Sequence, residues 1–224
     1  MSAYDTAPMV PSSAPQLSAL IVDYVGVMTV PLAGAMTEWM DAEGFDAARF
    51  KLFMRELMHR TALDDDGPVH GLEVGTWTKK RFEIYFAKEL ADAGVGDVPA
   101  EGLLTRLARG LRPNAAMADV VSRARASGMR TALLSNAFGF EYPRDGFGEL
   151  YDVTVISDEV GLRKPDPAIY RMACERLGVD PADSVFVDDM EANIVAASAL
   201  GMTVVHHVDT DATVAQLESL LALA

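Results

Sequence analysis

The sequence predicts an α/β protein, in which a doubly wound parallel sheet is interrupted by an inserted α-helical segment. From residue 115 onward, helical stretches alternate with short apolar runs, which is the pattern of parallel strands joined by crossover helices. An apolar run over residues 19–22 supplies one more buried strand near the amino terminus. Residues 32–111 differ from both regions, because their apolar residues recur at helical spacing and no convincing strand interrupts them.

The elements after residue 115 follow one another in strict alternation. Pro167 and Gly178 mark the start and the end of one helix, as proline and glycine commonly do. Helices are predicted over residues 115–128, 167–178, 191–201 and 211–223. Strands are predicted over residues 130–135, 151–157, 184–189 and 202–208. This alternation predicts parallel pairing, with helices on both faces of the sheet.

These boundaries predict three parts of the chain. Residues 1–17 form a flexible tail, because the first 16 residues are rich in proline, serine and alanine and lack the basic residues and apolar run of a signal peptide. Residues 18–31 and 112–224 form the α/β core. Residues 32–111 form the helical insert.

The composition of the 224-residue chain favours a globular protein that binds neither nucleic acid nor a membrane. Its 19 Lys and Arg residues against 33 Asp and Glu residues give a net charge of −14, whereas phosphate backbones and anionic membranes bind basic faces. No apolar stretch approaches the length of a membrane span. Cys174 is the only cysteine, which excludes an intrachain disulfide and leads us to expect a reducing, cytoplasmic location.

Polar residues follow three of the predicted strands at their carboxyl ends. In an open parallel sheet these ends meet at one edge, where ligands bind. One lysine in a loop before a helix is expected to join them. The residues are Asp23, Ser135, Asn136, Lys164, Asp188 and Asp189.

Three carboxylates at this edge would repel one another, since two like charges about 4 Å apart cost roughly 4 kcal/mol at an effective dielectric constant near 20. A hard divalent cation relieves this repulsion, and a small set of oxygen ligands suits magnesium. The hydroxyl of Ser135 and the ammonium of Lys164 can hold other oxygens of an anionic substrate. A carboxylate beside both groups, such as Asp23, is placed to act as a nucleophile.

Four segments of the chain resemble the motifs of the haloacid dehalogenase superfamily, in the order of that family. They read LIVDYVGVMT, ALLSNAFG, GLRKPDPAIY and VFVDDMEANIVAASALGM. The resemblance covers residues 18–222, and its last two segments together are the most specific. It implies a Rossmann-like core with strand order 5-4-1-2-3. It also implies that the insert over residues 32–111 is the helical cap of the family.

The resemblance implies a role for each acidic residue of the predicted site. Asp23 would be the nucleophile that forms an aspartyl-phosphate intermediate, and also a magnesium ligand. Asp189 would be the principal acidic metal ligand of the last motif, with Asp188 assisting. The backbone carbonyl of Val25 would complete the protein ligands of the metal.

The resemblance also implies how a phosphorylated substrate is held. Ser135 would bind the transferring phosphoryl group, helped by the backbone around Asn136. Lys164 would neutralise the charges of the nucleophile and the phosphate together.

Val25 departs from the pattern of family phosphatases, which carry a second Asp at this position for proton transfer. Loss of a general acid–base typically costs roughly 100- to 10,000-fold in rate. Three outcomes stay open: a substrate with a good leaving group, a substitute proton donor from the cap loop, or ligand binding without turnover. The candidate substitute donors are Asp64, Asp65, Asp66 and His70.

Two other branches of the superfamily also lack this Asp. The dehalogenases use no metal and lack the paired carboxylates, so Asp188 and Asp189 argue against dehalogenation. The phosphonate hydrolases keep magnesium and use a cap lysine, but none of the four cap lysines stands in a matching context. The sequence therefore predicts a magnesium-dependent, phosphatase-type hydrolase acting on a small phosphorylated metabolite, with a catalytically silent binding or regulatory protein as the alternative.

Overall fold

The computed structural model describes residues 17–64 and 66–223. Its centre is a sheet of five parallel strands in the order β3-β2-β1-β4-β5. The strands are β1 (Ala19–Val22), β2 (Arg130–Ser135), β3 (Val153–Ile156), β4 (Ser184–Asp188) and β5 (Thr203–His206). The predicted α/β class and the order of the strands are confirmed.

Helices surround this sheet and fill most of the remaining chain. The described residues contain α1 (Leu32–Glu43), α2 (Ala47–Leu63), α3 (Pro68–Glu73), α4 (Lys79–Asp92), α5 (Leu103–Ala108), α6 (Ala115–Ala126), α7 (Phe147–Leu150), α8 (Ser157–Val160), α9 (Pro167–Leu177), α10 (Glu191–Ala199) and α11 (Thr210–Leu221), with a 3₁₀ turn over Pro181–Asp183. None of the helices in this described part is long and apolar enough to cross a bilayer.

The central strand β1 is buried on both faces, because its side chains alternate between two helical layers. Leu20 and Val22 pack in one cluster with residues of α6 and α11. Ala19 and Ile21 pack in another cluster with residues of α9 and α10. All four side chains are fully buried, so the strand reads as a continuous apolar run in the sequence.

The strand β3 is shorter than predicted at its amino-terminal end. Tyr151 was expected to begin the strand, but its backbone N–H donates to the carbonyl of Phe147, 2.7 Å away, and so ends the short helix α7. Regular pairing with β2 begins only at Val153. The Tyr151 N–H therefore closes the last turn of α7, whereas the apolar pattern had predicted that it would pair within the sheet.

The helices α1 to α5 bury an aromatic cluster of their own. Phe82 and Phe86 stack with their ring centroids 5.5 Å apart, and Trp39 meets Phe45 edge-on at 5.0 Å. Thr78 caps α4, since its side-chain oxygen accepts from the backbone N–H of Arg81. This segment is helical where the periodicity predicted helices, and its role as a cap stays a prediction.

The chain leaves and re-enters the sheet layer at adjacent points. Thr29 and Pro113 form an antiparallel bridge, and the N–H of Asn114 donates to the carbonyl of Met28 at 2.8 Å. The N–H of Val30 donates to the carbonyl of Arg112 at 2.8 Å. Because the outgoing chain follows the carboxyl end of β1, these bonds fix the base of the helical segment next to that edge of the sheet.

Candidate active site at the carboxyl edge of the sheet

Asp23 lies directly after β1, at the centre of the carboxyl edge. Its N–H donates to the carbonyl of Val187 in β4 at 2.9 Å, which continues the pairing of the two strands by one residue. The chain then turns sharply at Gly26, whose φ of +88° favours glycine. The N–H of Gly26 donates to the Thr29 hydroxyl at 3.0 Å, and the N–H of Thr29 donates to the carbonyl of Tyr24 at 3.0 Å. This closed turn holds the Asp23 side chain in place.

Lys164 reaches the same point from the loop before α9 and is only 1% exposed. Its Nζ donates to Asp23 Oδ1 at 2.5 Å and to Asp188 Oδ2 at 2.6 Å. The third bond goes to the carbonyl of Leu134 at 3.0 Å. An ammonium group has three protons, so these acceptors use all of them and fix the position of the charge.

Asp188, the last residue of β4, is fully buried behind the site. Its Oδ1 accepts from the N–H of Met190 at 2.8 Å and from the side-chain amide of Asn193 at 2.9 Å. The Asn193 carbonyl in turn accepts from the hydroxyl of Tyr170 at 3.1 Å. With Lys164 bound to its other oxygen, both oxygens of this carboxylate have partners in the protein.

Asp23, Asp188 and Asp189 together have the geometry of a metal site. Each offers a carboxylate oxygen, and the three oxygens lie within 4.8 Å of one another. A Cβ built at Gly26 would lie 2.4 Å from Asp189 Oδ2, so a residue without a side chain is needed for this carboxylate to lie where it does. Three carboxylate oxygens suit a hard cation such as Mg²⁺, and this cluster could hold one.

The electrostatics of the site favour the same conclusion. The pKa of Asp23 is raised to about 7, because burial raises it strongly, the nearby ammonium of Lys164 opposes this shift, and the charge of Asp188 adds to it. Burial also raises the pKa of Asp189, with the Asp188 charge adding to it. Burial alone would lower the pKa of Lys164, but the two carboxylates outweigh it and the net shift is upward. Asp23 and Asp188 thus share the charge of Lys164 while Asp189 lies beside them, and a second positive charge would stabilise the ionised form of the cluster.

Ser135 and Asn136 stand at the end of β2, as predicted, but the side chain of Asn136 has an unforeseen partner. Its Oδ1 accepts from the N–H of Lys164 at 2.8 Å, and its Nδ2 donates to the carbonyl of Lys164 at 2.9 Å. The amide therefore clamps the backbone of the lysine from both sides. The predicted contact of the Asn136 backbone with substrate stays a prediction.

Val25 is partly buried in the turn after Asp23 and has no group that can transfer a proton. Of the candidate substitute donors, Asp64 and Asp66 are exposed in the loop between α2 and α3, where the N–H of Asp66 donates to Asp64 Oδ1 at 3.2 Å. His70 is buried within α3, at 6% exposure. Asp65 lies outside the described residues. A proton-transfer role for these four residues stays a prediction.

Sequence reasoning missed Tyr142, whose hydroxyl lies 2.9 Å from the Ser135 hydroxyl. This tyrosine lies in an irregular loop with proline and glycine neighbours, and such a pattern carries no signal of proximity to a strand end. The tyrosine ring packs on Tyr24, with the centroids 5.0 Å apart. It therefore brings a second hydroxyl to the carboxyl end of β2.

Sequence reasoning also missed Glu73, at the end of α3. Its Oε2 lies 3.2 Å from Nη1 of Arg163, and its Oε1 accepts from Asn136 Nδ2 at 3.5 Å. Its backbone carbonyl accepts from the hydroxyl of Ser157. A lone carboxylate flanked by Leu72 and Val74 was a signal of a specific contact, but the partner could not be read from the sequence. The helical segment thus touches both loops that carry the site.

Known proteins resemble this chain in sequence. The family model of haloacid dehalogenase-like hydrolases matches residues 5–201. Acyl-CoA dehydrogenase family member 10 of Mus musculus is 29% identical over 164 residues, which are 70% of this chain but 15% of that protein. The sesquiterpene phosphatase astK of Aspergillus oryzae is 32% identical over 115 residues, which are 50% of this chain and 59% of that protein. The matches thus span less than two thirds of either relative.

Solved structures share the fold. A HAD family enzyme of Bacteroides thetaiotaomicron, in complex with magnesium and inorganic phosphate, has a TM-score of 0.59 and 20% identity, and the match covers 85% of this chain and 93% of that one. A dehalogenase has a TM-score of 0.65 and 21% identity, with 95% of this chain and 100% of the other covered. At such identities the likeness shows a common fold.

Proposed function

Since the chain belongs to the haloacid dehalogenase-like hydrolases, we propose that it is a magnesium-dependent phosphohydrolase in which Asp23 is the nucleophile. The observation that carries the proposal is the carboxylate cluster of Asp23, Asp188 and Asp189, two of which pair with the buried Lys164. The substrate is a small phosphorylated metabolite, and the helical segment over residues 32–111 covers the site as a cap. The phosphatase and the magnesium–phosphate complex among the similar proteins support this choice.

The proposed metal ligands are Asp23, Asp189 and the backbone carbonyl of Val25, with Asp188 assisting from its buried position. When bound, Mg²⁺ neutralises charge on the carboxylates and on the phosphoryl oxygens. The protein supplies a fixed set of oxygens for it, because the turn at Gly26 and the pairing of β1 with β4 hold these residues rigidly.

The proposed reaction has two steps. The Asp23 carboxylate attacks phosphorus, the bond from phosphorus to the leaving oxygen breaks, and the electron pair departs with that oxygen. Ser135 donates a hydrogen bond to a phosphoryl oxygen, and the positive charge of Lys164 balances the charges of the nucleophile and the phosphoryl group. Water then attacks phosphorus, which releases inorganic phosphate and a proton and restores the carboxylate. Because Val25 cannot protonate the leaving oxygen, we expect aryl and acyl phosphates to react faster than alkyl phosphates.

Hydrolysis of an aryl phosphate in the presence of Mg²⁺ tests this function. We expect turnover of p-nitrophenyl phosphate that EDTA abolishes and added Mg²⁺ restores. Replacement of Asp189 with alanine is expected to raise the Mg²⁺ concentration for half-maximal turnover at least tenfold, because it removes one of the three oxygen ligands. The measurement is initial rate against free Mg²⁺ for both proteins.

Glu191→Ala is the matched control, since Glu191 is an exposed acidic residue at the start of α10, two positions from Asp189. Its Mg²⁺ requirement should equal that of the wild type. A folded wild-type protein with no turnover of aryl or acyl phosphates would support the alternative of a binding protein. Turnover that persists in EDTA would contradict the metal assignment.

Restoring the missing carboxylate is a second test. Val25→Asp is expected to raise turnover of alkyl phosphates about tenfold or more, because a general acid–base typically contributes roughly 100- to 10,000-fold. The ratio of alkyl to aryl turnover should rise with it, since an aryl leaving group needs less help from a proton. The measurement is kcat for one alkyl and one aryl phosphate.

Val25→Asn is the matched control, because asparagine has the same shape as aspartate but cannot take up or release a proton near neutral pH. A gain that asparagine reproduces would come from polarity rather than from acid–base catalysis. A folded Val25→Asp protein with no gain would mean that another group already transfers the proton.

A further inference from the structure

Ser135 and Tyr142 form a pair of hydroxyl groups beside the nucleophile. Their oxygens are 2.9 Å apart, a strong hydrogen bond in which either oxygen can be the donor. Ser135 is 1% exposed, at the end of β2 next to β1. The tyrosine ring is held against Tyr24 at 5.0 Å, and Tyr24 packs in turn on Phe147 at 6.2 Å. Aromatic packing on the neighbour of Asp23 therefore fixes where this phenol lies.

The two hydroxyls carry two protons, and the hydrogen bond between them uses only one. The other proton has a poor acceptor, because the carbonyl of Asn136 lies 3.4 Å from Ser135 Oγ and 3.5 Å from Tyr142 Oη. Those distances are at the limit of hydrogen bonding for hydroxyl donors, whose usual range ends near 3.0 Å. The pair consequently keeps one donor available for an oxygen that the protein does not supply.

The phenol keeps its proton throughout the neutral range. Burial raises the pKa of Tyr142, the bond with Ser135 lowers it, and the charge of Asp23 raises it again, with a net upward shift. A phenol is a more acidic donor than an aliphatic alcohol, so Tyr142 is the better donor toward Ser135, and this arrangement frees the Ser135 proton for a second acceptor. The phenol is also within electrostatic reach of the proposed nucleophile.

We propose that Tyr142 is a positioning residue, which donates to Ser135 Oγ and thereby directs the Ser135 proton at an oxygen of the bound phosphoryl group. This inference rests on the proposed phosphohydrolase function and adds a residue to it. The tyrosine acts through the serine and does not touch the substrate. Its contribution is consequently lost when the serine hydroxyl is absent.

A double-mutant cycle tests this coupling. Tyr142→Phe keeps the ring on Tyr24 and removes only the hydroxyl, so the fold is retained. We expect a five- to tenfold rise both in KM for p-nitrophenyl phosphate and in the dissociation constant of inorganic phosphate, measured by calorimetry with Mg²⁺, and less than a twofold change in kcat. In a Ser135→Ala background, the same substitution is expected to change either constant by less than twofold.

Tyr151→Phe is the matched control, because Tyr151 is buried and packs on the same Phe147, at 5.4 Å. It should leave KM and phosphate affinity unchanged. Equal factors for Tyr142→Phe in the two backgrounds would overturn the inference, since they would mean that the phenol acts independently of Ser135. A lower melting temperature with unchanged phosphate affinity would overturn it too, because the hydroxyl would then be only structural.

The inference and the proposed function fail in different ways. A wild-type protein that neither hydrolyses aryl phosphate nor binds inorganic phosphate overturns both. A wild-type protein that does either, while Tyr142→Phe behaves like the wild type, overturns the role of Tyr142 alone.

Discussion

Asp23→Asn is expected to reduce turnover of p-nitrophenyl phosphate about a thousandfold or more, because asparagine cannot displace the leaving group from phosphorus. The loss should fall on kcat, since Lys164 and Ser135 remain to bind the phosphoryl group. The measurement is the initial rate at saturating Mg²⁺ and substrate. An Asn variant with a tenth or more of the wild-type kcat would contradict the assignment of the nucleophile.

Stability measurements show whether the loss of turnover in Asp23→Asn comes from the missing nucleophile or from unfolding. The pKa of Asp23 is about 7 in the fold, against an ordinary value of 3.8, so the folded state keeps a proton that the unfolded state releases between these values. This group therefore contributes stability below about pH 4 that is lost as the pH rises toward 7. The uncharged Asn removes that dependence. Without metal at pH 7.5, we expect the variant to unfold at the same or a higher temperature than the wild type.

Lys164→Met is expected to lower the free energy of unfolding by about 3–5 kcal/mol, because it leaves two buried carboxylates without their shared cation. Methionine has a similar length and is apolar, so little packing is lost. The measurement is urea denaturation in EDTA, with the effect read from the midpoint at an unchanged m-value. Turnover should fall as well, since the phosphoryl group loses its principal positive side chain.

A surface control and a rescue variant test whether the loss of stability in Lys164→Met is electrostatic. Lys88 pairs with Asp92 on the surface, where both side chains are largely exposed, and Lys88→Met should cost less than about 1 kcal/mol. Adding Asp23→Asn to Lys164→Met removes one of the uncompensated charges and should restore part of the lost stability. A double variant that is less stable than Lys164→Met alone would contradict an electrostatic cause.

The parts of the site that the sequence predicted are those that a strand end determines. Asp23, Ser135 and Asp188 each close an apolar run, and parallel pairing brings the ends of such runs together whatever the loops do. Lys164 was expected near these strand ends because it lies in a short loop before a helix that begins at Pro167. Such a loop leaves the position of the lysine little freedom. The order of the strands followed from the resemblance, since alternation alone is compatible with several orders.

The remaining features depend on contacts between distant loops, which periodicity does not encode. The Asn136 clamp on Lys164 joins residues 28 positions apart, and the Tyr142 hydroxyl reaches Ser135 through an irregular turn. Glu73 was invisible as a site neighbour for the same reason, since its partners lie in two separate loops. In each case a side chain bonds to a group whose position only the tertiary fold determines.

The contacts of Glu73 attach the end of α3 to the loops of the candidate site. Glu73 holds Arg163 and Asn136, and a Cβ at Gly75 would lie 2.7 Å from the carbonyl of Asp158, so the end of α3 lies flush against the core. The end of α3 therefore packs as part of the α/β core, although in the sequence it lies within the helical segment. If that segment acts as the proposed cap, its opening would pivot beside α3, because a swing that carried α3 away would pull on Asn136, which holds the backbone of Lys164. In the proposed cap role, the hinge of the segment would thus lie beside the lysine that balances the charges of the site.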